Sequence, residues 1–368
     1  MAARYDISIP ALTHRDGIFI HRLAVRDRYR LRTLPGPGYY YRSAQQLLYS
    51  LRLARYLKAT GLDEQADIIE FAEVNAEGYF YARAPRTAIA VRCHTPSSVL
   101  ARYYHKAETP YDTRIISHCE HQMIRHISTR LAPSHDMANV IAAACAVPHE
   151  TIQVVPNPVS FPELENLDPL DENRRAQPVI LFVGRLERAK GVYVLSEAIP
   201  LVLQHIPNAQ FVFVGGDRVN EQRGSTRAQL KQLLAQRGVD AQVHFPGEVA
   251  QADLPKWYAQ ADVCVVPSLL YESFSYTTAH AMLAARPVVA SHIGGIPETL
   301  NEDECGIVVE PGSARALAEG IVCLLQEPKR AADKGNAGRA RVKTHFHPLK
   351  IAAQTLAAYR RAGHVSAD

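Results

Sequence analysis

From Val179 onward, short continuous apolar runs alternate with segments whose apolar residues recur every three or four places. The runs are Val179–Val183, Phe211–Val214, Gln242–Phe245, Val263–Pro267, Pro287–Ser291 and Gly306–Val309. Between and after them, helical spacing covers 190–206, 225–237, 252–260, 274–285, 313–326 and about 329–362, with a break at His347-Pro348. Strands that are apolar along their whole length are buried on both faces. Alternation with helices at this spacing predicts a parallel, doubly wound α/β sheet.

The first half keeps a looser version of the same rhythm. Extended runs are expected at Tyr5–Ile9 and Gly17–Val25, with strands at Asp67–Glu73 and Thr87–Cys93 and a short one into Ala132. Helices are expected over Ser43–Thr60, Tyr111–Ile127 and His135–Cys145. Ser43–Thr60 carries the stripe Leu47, Leu48, Leu51, Ala54 and Leu57, with Arg52, Arg55 and Lys58 outside it. Residues 156–177 are rich in prolines and turn formers and have no apolar period, so the domain linker falls there. The pair Gly36 and Gly38 does not make a dinucleotide fingerprint, because no strand precedes it and Tyr41 holds the third glycine position.

The chain has 368 residues, 47% of them hydrophobic and 21% charged, which suits a soluble globular protein of two domains. No apolar run approaches the ~18 residues of a membrane span, and the N-terminus has no signal-like apolar core. The six cysteines are scattered without metal spacing; Cys93, Cys264 and Cys323 sit in apolar runs and read as core residues in a reducing cytoplasm. Residues 1–60 carry eleven Lys or Arg against three Asp, a net +8, so the remainder sums to −4. Arg22, Arg26, Arg28, Arg30 and Arg32 are crowded together there. Two readings stand side by side: a solvated face, or peripheral contact of residues 15–58 with anionic membrane headgroups. Without a recognised reader motif, no nucleic-acid partner is expected.

Chemistry collects in the loops that follow the strands of the second half. Gly184-Arg185-Leu186-Glu187-Arg188-Ala189-Lys190-Gly191 follows the first strand, Gly215-Gly216-Asp217 the second and Gly247-Glu248-Val249 the third. After Val263–Pro267 comes Ser268 to Met282, with Glu272 in the loop and hydroxyl residues at a helix start. Gly294-Gly295-Ile296-Pro297-Glu298 closes the series. In a parallel sheet all carboxyl ends face one way, so these loops share one crevice. An Arg and a Lys five residues apart, beside glycines and helix N-termini, suit a diphosphate. In the first half, His94 ends a strand at the equivalent edge.

Val183-Gly184-Arg185-Leu186, Lys190-Gly191, Phe213 to Gly216, Phe245-Pro246-Gly247, Val266-Pro267-Ser268, Glu272-Ser273-Phe274 and Gly294 to Glu298 occur in the order of a large enzyme family. Together they resemble the retaining GT-B glycosyltransferases known as glycosyl transferases group 1 (family 4). The match is looser over Asp67–Ile69, His94, Ala132–Ser134 and Val155–Pro158. The resemblance implies two Rossmann-like doubly wound domains facing across a cleft. Residues 1–160 would form the acceptor-side domain, 161–177 a linker, 178–345 the nucleotide-sugar domain, and 346–368 a helix crossing back. Arg185 and Lys190 would hold the donor diphosphate, Glu272 the sugar hydroxyls, and His94 would face the reacting sugar. Gly184, Gly215, Gly216, Gly247, Glu248, Val249, Ser273, Phe274, Ser275, Tyr276 and His280 would line the donor site. No metal or other cofactor is implied. The donor would be a UDP- or GDP-sugar, the acceptor a glycan or lipid-linked glycan, and the location the cytoplasm or the inner face of its membrane.

Two departures from the family pattern stand out. His280 occupies the place of a second Glu that holds the ribose, and a neutral imidazole offers one acceptor where a carboxylate offers several. The chain also starts at about the family's second strand, without the glycine-rich loop. That implies a late-assigned start, a truncated first domain or a differently built acceptor site. Both departures favour a rival reading, a non-catalytic homologue that binds a nucleotide-sugar or a partner glycosyltransferase; an epimerase of the nucleotide-sugar is a further alternative.

Overall fold

The computed structural model describes residues 2–4, 12–15, 17–24, 41–103, 110–171, 176–217, 219–220 and 224–361. The run Tyr5–Ile9, the cations Arg26, Arg28, Arg30 and Arg32, and the Gly36/Gly38 turn lie outside these residues. The chain divides into two compact units. The first comprises residues 1–132, 138–153 and 357–368, and the second residues 133–137 and 154–356.

The first unit opens with β1 (Ala2–Arg4), β2 (Leu12–Arg15) and β3 (Ile18–Ala24), then α1 (Tyr41–Thr60). It continues through β4 (Ile68–Ala72), β5 (Ala88–Arg92), α2 (Ser97–Tyr103), α3 (Pro110–His126), β6 (Thr129–Ala132), α4 (His135–Cys145) and β7 (Ile152–Val154). Its main sheet has the order β4-β5-β6-β7, with β4, β5 and β6 paired in parallel. The extended run expected at Gly17–Val25 is β3, which among the described residues lies in a three-stranded sheet ordered β1-β3-β2. Gly17, at φ +79, turns the chain back so that β2 runs antiparallel to β3. On α1 the buried positions are Ser43, Ser50, Leu53, Ala54 and Leu57. Leu48, placed in the apolar stripe by its spacing, is instead 54% exposed, because it lies off the face those residues share.

The second unit runs α5 (Pro162–Glu165), β8 (Val179–Val183), α6 (Val192–His205), β9 (Gln210–Val214), β10 (Val219–Asn220), β11 (Gly224–Ser225) and α7 (Thr226–Gln236). It goes on with β12 (Val243–Gly247), α8 (Leu254–Gln260), β13 (Val263–Val266), α9 (Tyr276–Leu283), β14 (Val288–Ser291), α10 (Ile296–Leu300) and β15 (Gly306–Val309). It ends with α11 (Ala314–Gln326), α12 (Pro328–His345) and α13 (Pro348–Arg361), whose residues from 357 belong to the first unit. The sheet order is β12-β9-β8-β13-β14-β15, parallel throughout. Alternate residues of each strand feed opposite cores: Ile180, Phe182, Phe211 and Phe213 pack with α6, α7 and α11 on one face. Leu181, Val212, Cys264 and Val266 pack with α9 and the end of α12 on the other. Burial on both faces explains the unbroken apolar runs in the sequence.

The stretch read as a linker contains α5, and Phe161 and Leu164 are buried in the second core. Cys93, Cys119, Cys145, Cys264 and Cys305 are buried free thiols. Cys323, expected in the core, is only half-buried, with its thiol 3.3 Å from Glu327 Oε1. Among the described residues no helix is long and apolar enough to cross a membrane.

Two glycines let α12 lie close to α9. A Cβ at Gly335 would sit 2.4 Å from the Ala285 carbonyl oxygen, and one at Gly338 would sit 3.1 Å from Met282 Cγ. Alanine at an interior helix position ordinarily gains about 1 kcal/mol over glycine. At Gly335 the methyl meets backbone that cannot yield, and overpacking of this kind costs typically 1–3 kcal/mol. Gly335→Ala is therefore expected to lower unfolding stability by about 1 kcal/mol or more, read by denaturant titration; a more stable variant would contradict this packing.

Candidate functional site

At the carboxyl edge of the six-stranded sheet the loops are stitched together through their backbones. Gly184 N–H donates to Val214 C=O (2.9 Å), Leu186 N–H to Gly216 C=O (2.9 Å) and Gly215 N–H to Gly247 C=O (2.8 Å). A Cβ at Gly215 would fall 1.9 Å from the Gly184 carbonyl oxygen, so only glycine fits. Glu248 arches over Gly216, its Oε2 3.2 Å from where a Cβ would be. Val249 packs partly into the second core.

The loop after β8 contains a single helical turn, Arg188–Lys190, ended by Gly191 at φ +74. A side chain at Gly191 would collide with Pro267 C=O at 1.7 Å. The loop after β13 docks on this turn, with Leu269 N–H and Leu270 N–H both donating to Ala189 C=O at 2.8 and 3.0 Å. This contact carries Lys190 to Glu272. The Lys190 ammonium is hydrogen-bonded to Glu272 Oε1, and Ser268 Oγ donates to the same oxygen at 3.1 Å. Both side chains are mostly buried, 25% and 16% exposed, so the pair is shielded from much of the solvent screening that weakens a surface ion pair. Arg185 is 59% exposed and pairs with Glu187 at 2.9 Å. One loop thus presents an accessible guanidinium and a half-buried ammonium.

The loop after β14 closes the far side. Gly295 N–H donates to Glu272 C=O (2.7 Å), and side chains at Gly294 or Gly295 would strike the Glu272 and Ser273 carbonyls. Ser275 caps α9, its Oγ accepting from Thr278 N–H (3.3 Å) and Thr278 Oγ1 (2.9 Å). With Phe274 buried in the core, backbone is what Phe274 and Ser275 offer to a ligand. His280, one turn further along α9, packs edge-on against Phe161 with ring centroids 5.4 Å apart. The Tyr276 ring is 6.1 Å away, and burial pulls the imidazole pKa below its ordinary value. The ring is held neutral near pH 7. Glu298 turns from this edge: its carboxylate accepts the N–H groups of His135 and Asp136, each at 2.7 Å, at the start of α4.

His94 belongs to the first unit, at the end of β5. Burial first, then the nearby Arg92, lowers its pKa. Its N–H donates to Glu73 Oε1 at 2.7 Å. Spacing did not reveal Glu187, Ser268 as a partner of Glu272, or Glu73 as the anchor of His94. Ser268 had the clearest signal, a hydroxyl directly after an apolar strand. Gly184, Arg185, Lys190, Gly215, Gly216, Gly247, Glu248 and Glu272 come together along one sheet edge.

Residues 177–327 match the family model described as Glycosyl transferases group 1, and residues 5–161 match that of Glycosyltransferase Family 4. The chain belongs to the group 1 glycosyltransferases. It is 38% identical over 151 residues to an uncharacterized glycosyltransferase of Methanocaldococcus jannaschii, covering 41% of this chain and 36% of that one. It is 30% identical over 211 residues to the GDP-mannose-dependent alpha-(1-6)-phosphatidylinositol monomannoside mannosyltransferase of Mycobacterium tuberculosis, covering 56% of this chain and 52% of that one. The chain thus spans about a third to a half of the length of these curated relatives. Among solved structures, sucrose-phosphate synthase from Thermosynechococcus elongatus superposes with a TM-score of 0.75 at 24% identity, over 98% of this chain and 88% of that one. The Anabaena protein HepE, solved with UDP, gives 0.69 at 21% identity, over 84% and 82%. The fold of this group 1 glycosyltransferase is GT-B, with two Rossmann-like domains.

Proposed function

We propose that this chain transfers a hexosyl group from a nucleotide-diphosphate sugar to a glycan or lipid-linked glycan, with retention of configuration and without a metal ion. The observation that carries this reading is the pairing of Lys190 with Glu272 on glycine-stripped backbone, beside the accessible Arg185. Two cations on a glycine-rich loop at the sheet's carboxyl edge form a site for a diphosphate. A diphosphate arriving there would take over Lys190, freeing Glu272 to accept hydrogen bonds from sugar hydroxyls. Breaking the glycosyl–phosphate bond leaves negative charge on the departing diphosphate, and fixed cations that stabilise it lower the barrier. Glu248 and Val249 would border the base, and Tyr276 with His280 the ribose. The first domain would take the acceptor, with His94 facing the reacting sugar. A relative's printed dependence on GDP-mannose and a structural neighbour's bound UDP support a GDP- or UDP-sugar as donor.

The transfer is tested by incubating the chain in EDTA with UDP-glucose or GDP-mannose and an oligosaccharide acceptor, following product by mass and anomeric configuration by NMR. Arg185→Ala and Lys190→Ala are each expected to lower kcat by roughly 10²-fold or more, the scale of losing one charge-stabilising donor. Metal-dependent turnover, inverted product, or epimer formed from donor alone would each contradict the proposal. A lipid-linked acceptor would place the enzyme at the inner face of the cell membrane, with the basic residues 15–58 toward anionic lipid. Neutralising Arg22, Arg26, Arg28, Arg30 and Arg32 is then expected to abolish flotation with anionic vesicles, and undiminished flotation would remove that element.

A further inference from the structure

Two buried carboxyl groups grip the turn that carries His94. Glu73, directly after β4, is fully buried. Its Oε1 accepts the backbone N–H groups of His94 (2.7 Å) and Thr95 (2.6 Å), and its own N–H donates to Arg92 C=O (3.2 Å). Glu120 of α3 is also fully buried. Its Oε2 accepts Ser97 N–H at 2.9 Å, while its Oε1 accepts Ser97 Oγ (2.7 Å) and Asn75 N–H (2.8 Å). The segment from 94 to 97 is therefore anchored at both ends by side chains from β4's loop and α3. Asn75 and Ala76, between the two anchors, hold left-handed backbone at φ +59 and +52. Non-glycine residues keep that conformation where their surroundings over-determine it.

Two acids buried within reach of each other are an expensive way to hold a turn. Burial chiefly, and the neighbouring Glu120, push the Glu73 carboxyl up to about 7, against the opposing pull of the His94 and Thr95 N–H groups. Burial likewise raises Glu120, which its hydrogen bonds from Ser97 and Asn75, and then Arg42 of α1, partly offset. The Cys93 and Cys145 thiols also face Glu73, and burial raises both. Glu73 Oε2 is buried without a hydrogen-bond partner among the described residues. We propose that Glu73 and Glu120 are positioning residues that fix the His94 turn for sugar transfer, and that proton loss from Glu73 loosens that turn. This rests on the reading of His94 as the group facing the reacting sugar.

The sign follows from the two states of the turn. When the turn is closed, Glu73 holds its proton up to about pH 7. When it opens, water restores an ordinary carboxyl, which ionises from about pH 4.5. Opening therefore becomes easier as pH rises between these values and levels off above them. Amide hydrogen exchange reads this without any turnover. In the wild-type chain, protection of the His94 and Thr95 amides, corrected for intrinsic exchange, is expected to fall by ~40-fold between pH 5 and pH 7. Glu73→Gln keeps an acceptor oxygen and carries no charge, so most of that fall should disappear, the remaining pH response belonging to Glu120 and His94, which the substitution leaves in place. Glu73→Ala should lose ~10-fold or more of the protection at pH 5 and lower kcat by ~10-fold or more. Glu73→Gln should restore kcat, and nucleotide affinity should stay unchanged in both variants.

Unchanged protection in Glu73→Ala, or a wild-type pH response in Glu73→Gln, would overturn the proposal. So would loosened amides with undiminished kcat, which would make the grip purely structural. If Glu73→Ala does not fold, the diminished pH response of Glu73→Gln carries the test. A wild-type chain that transfers no sugar would sink the functional reading instead, while the exchange data would still decide whether Glu73 holds the turn.

Discussion

Backbone lies directly on backbone along the carboxyl edge of the six-stranded sheet, and the site depends on that contact. Gly191 rests on Pro267 C=O, Gly215 on Gly184 C=O, and Gly294 on Glu272 C=O, at separations where any Cβ would collide. Because no side chains intervene, the loop after β13 reaches the turn after β8, and Lys190 meets Glu272 across 82 positions of sequence. The glycines also keep side chains off this edge, so that Arg185 and Lys190 are the groups a diphosphate meets there. Packing and chemistry thus have one cause.

The second unit was legible because its strands are buried on both faces. Val179–Val183 and Gly306–Val309 fall where their apolar runs end, and α11, Ala314–Gln326, lies within the 313–326 its periodicity gave. The elements that escaped are short: α2, α5 and α10 have seven, four and five residues, too few to show a helical period. Tertiary contacts hold them, as with α5, where Leu164 is buried and helix formation follows from docking. The run Gly17–Val25 was legible as extended and is β3, but its place between β1 and β2 was not. A strand's spacing fixes its faces but not its partner, and the bend at Gly17 decides the pairing.

For the candidate site, motif order supplied the identities of Arg185, Lys190 and Glu272 but not their partners. Glu187 beside Arg185 and Ser268 beside Glu272 become visible only once the loops fold onto one another. Glu73 and Glu120 were illegible, since an acid after a strand and another mid-helix look like solvent-facing charges until burial is known. His280 shows the reverse. Its departure from the family pattern was plain in the sequence, but its packing against Phe161, with Tyr276 close by, is visible only in the structure.

The central claim, that the second unit binds a nucleotide diphosphate through Arg185 and Lys190, is tested most directly by calorimetric titration of the chain with UDP, GDP and ADP in EDTA. The account predicts selective binding of one nucleotide, weakened ~10-fold or more by Arg185→Ala or Lys190→Ala, as expected for loss of a charge-assisted hydrogen bond. Absence of binding by all three, or binding indifferent to both substitutions, would contradict it and leave the non-catalytic homologue as the better description.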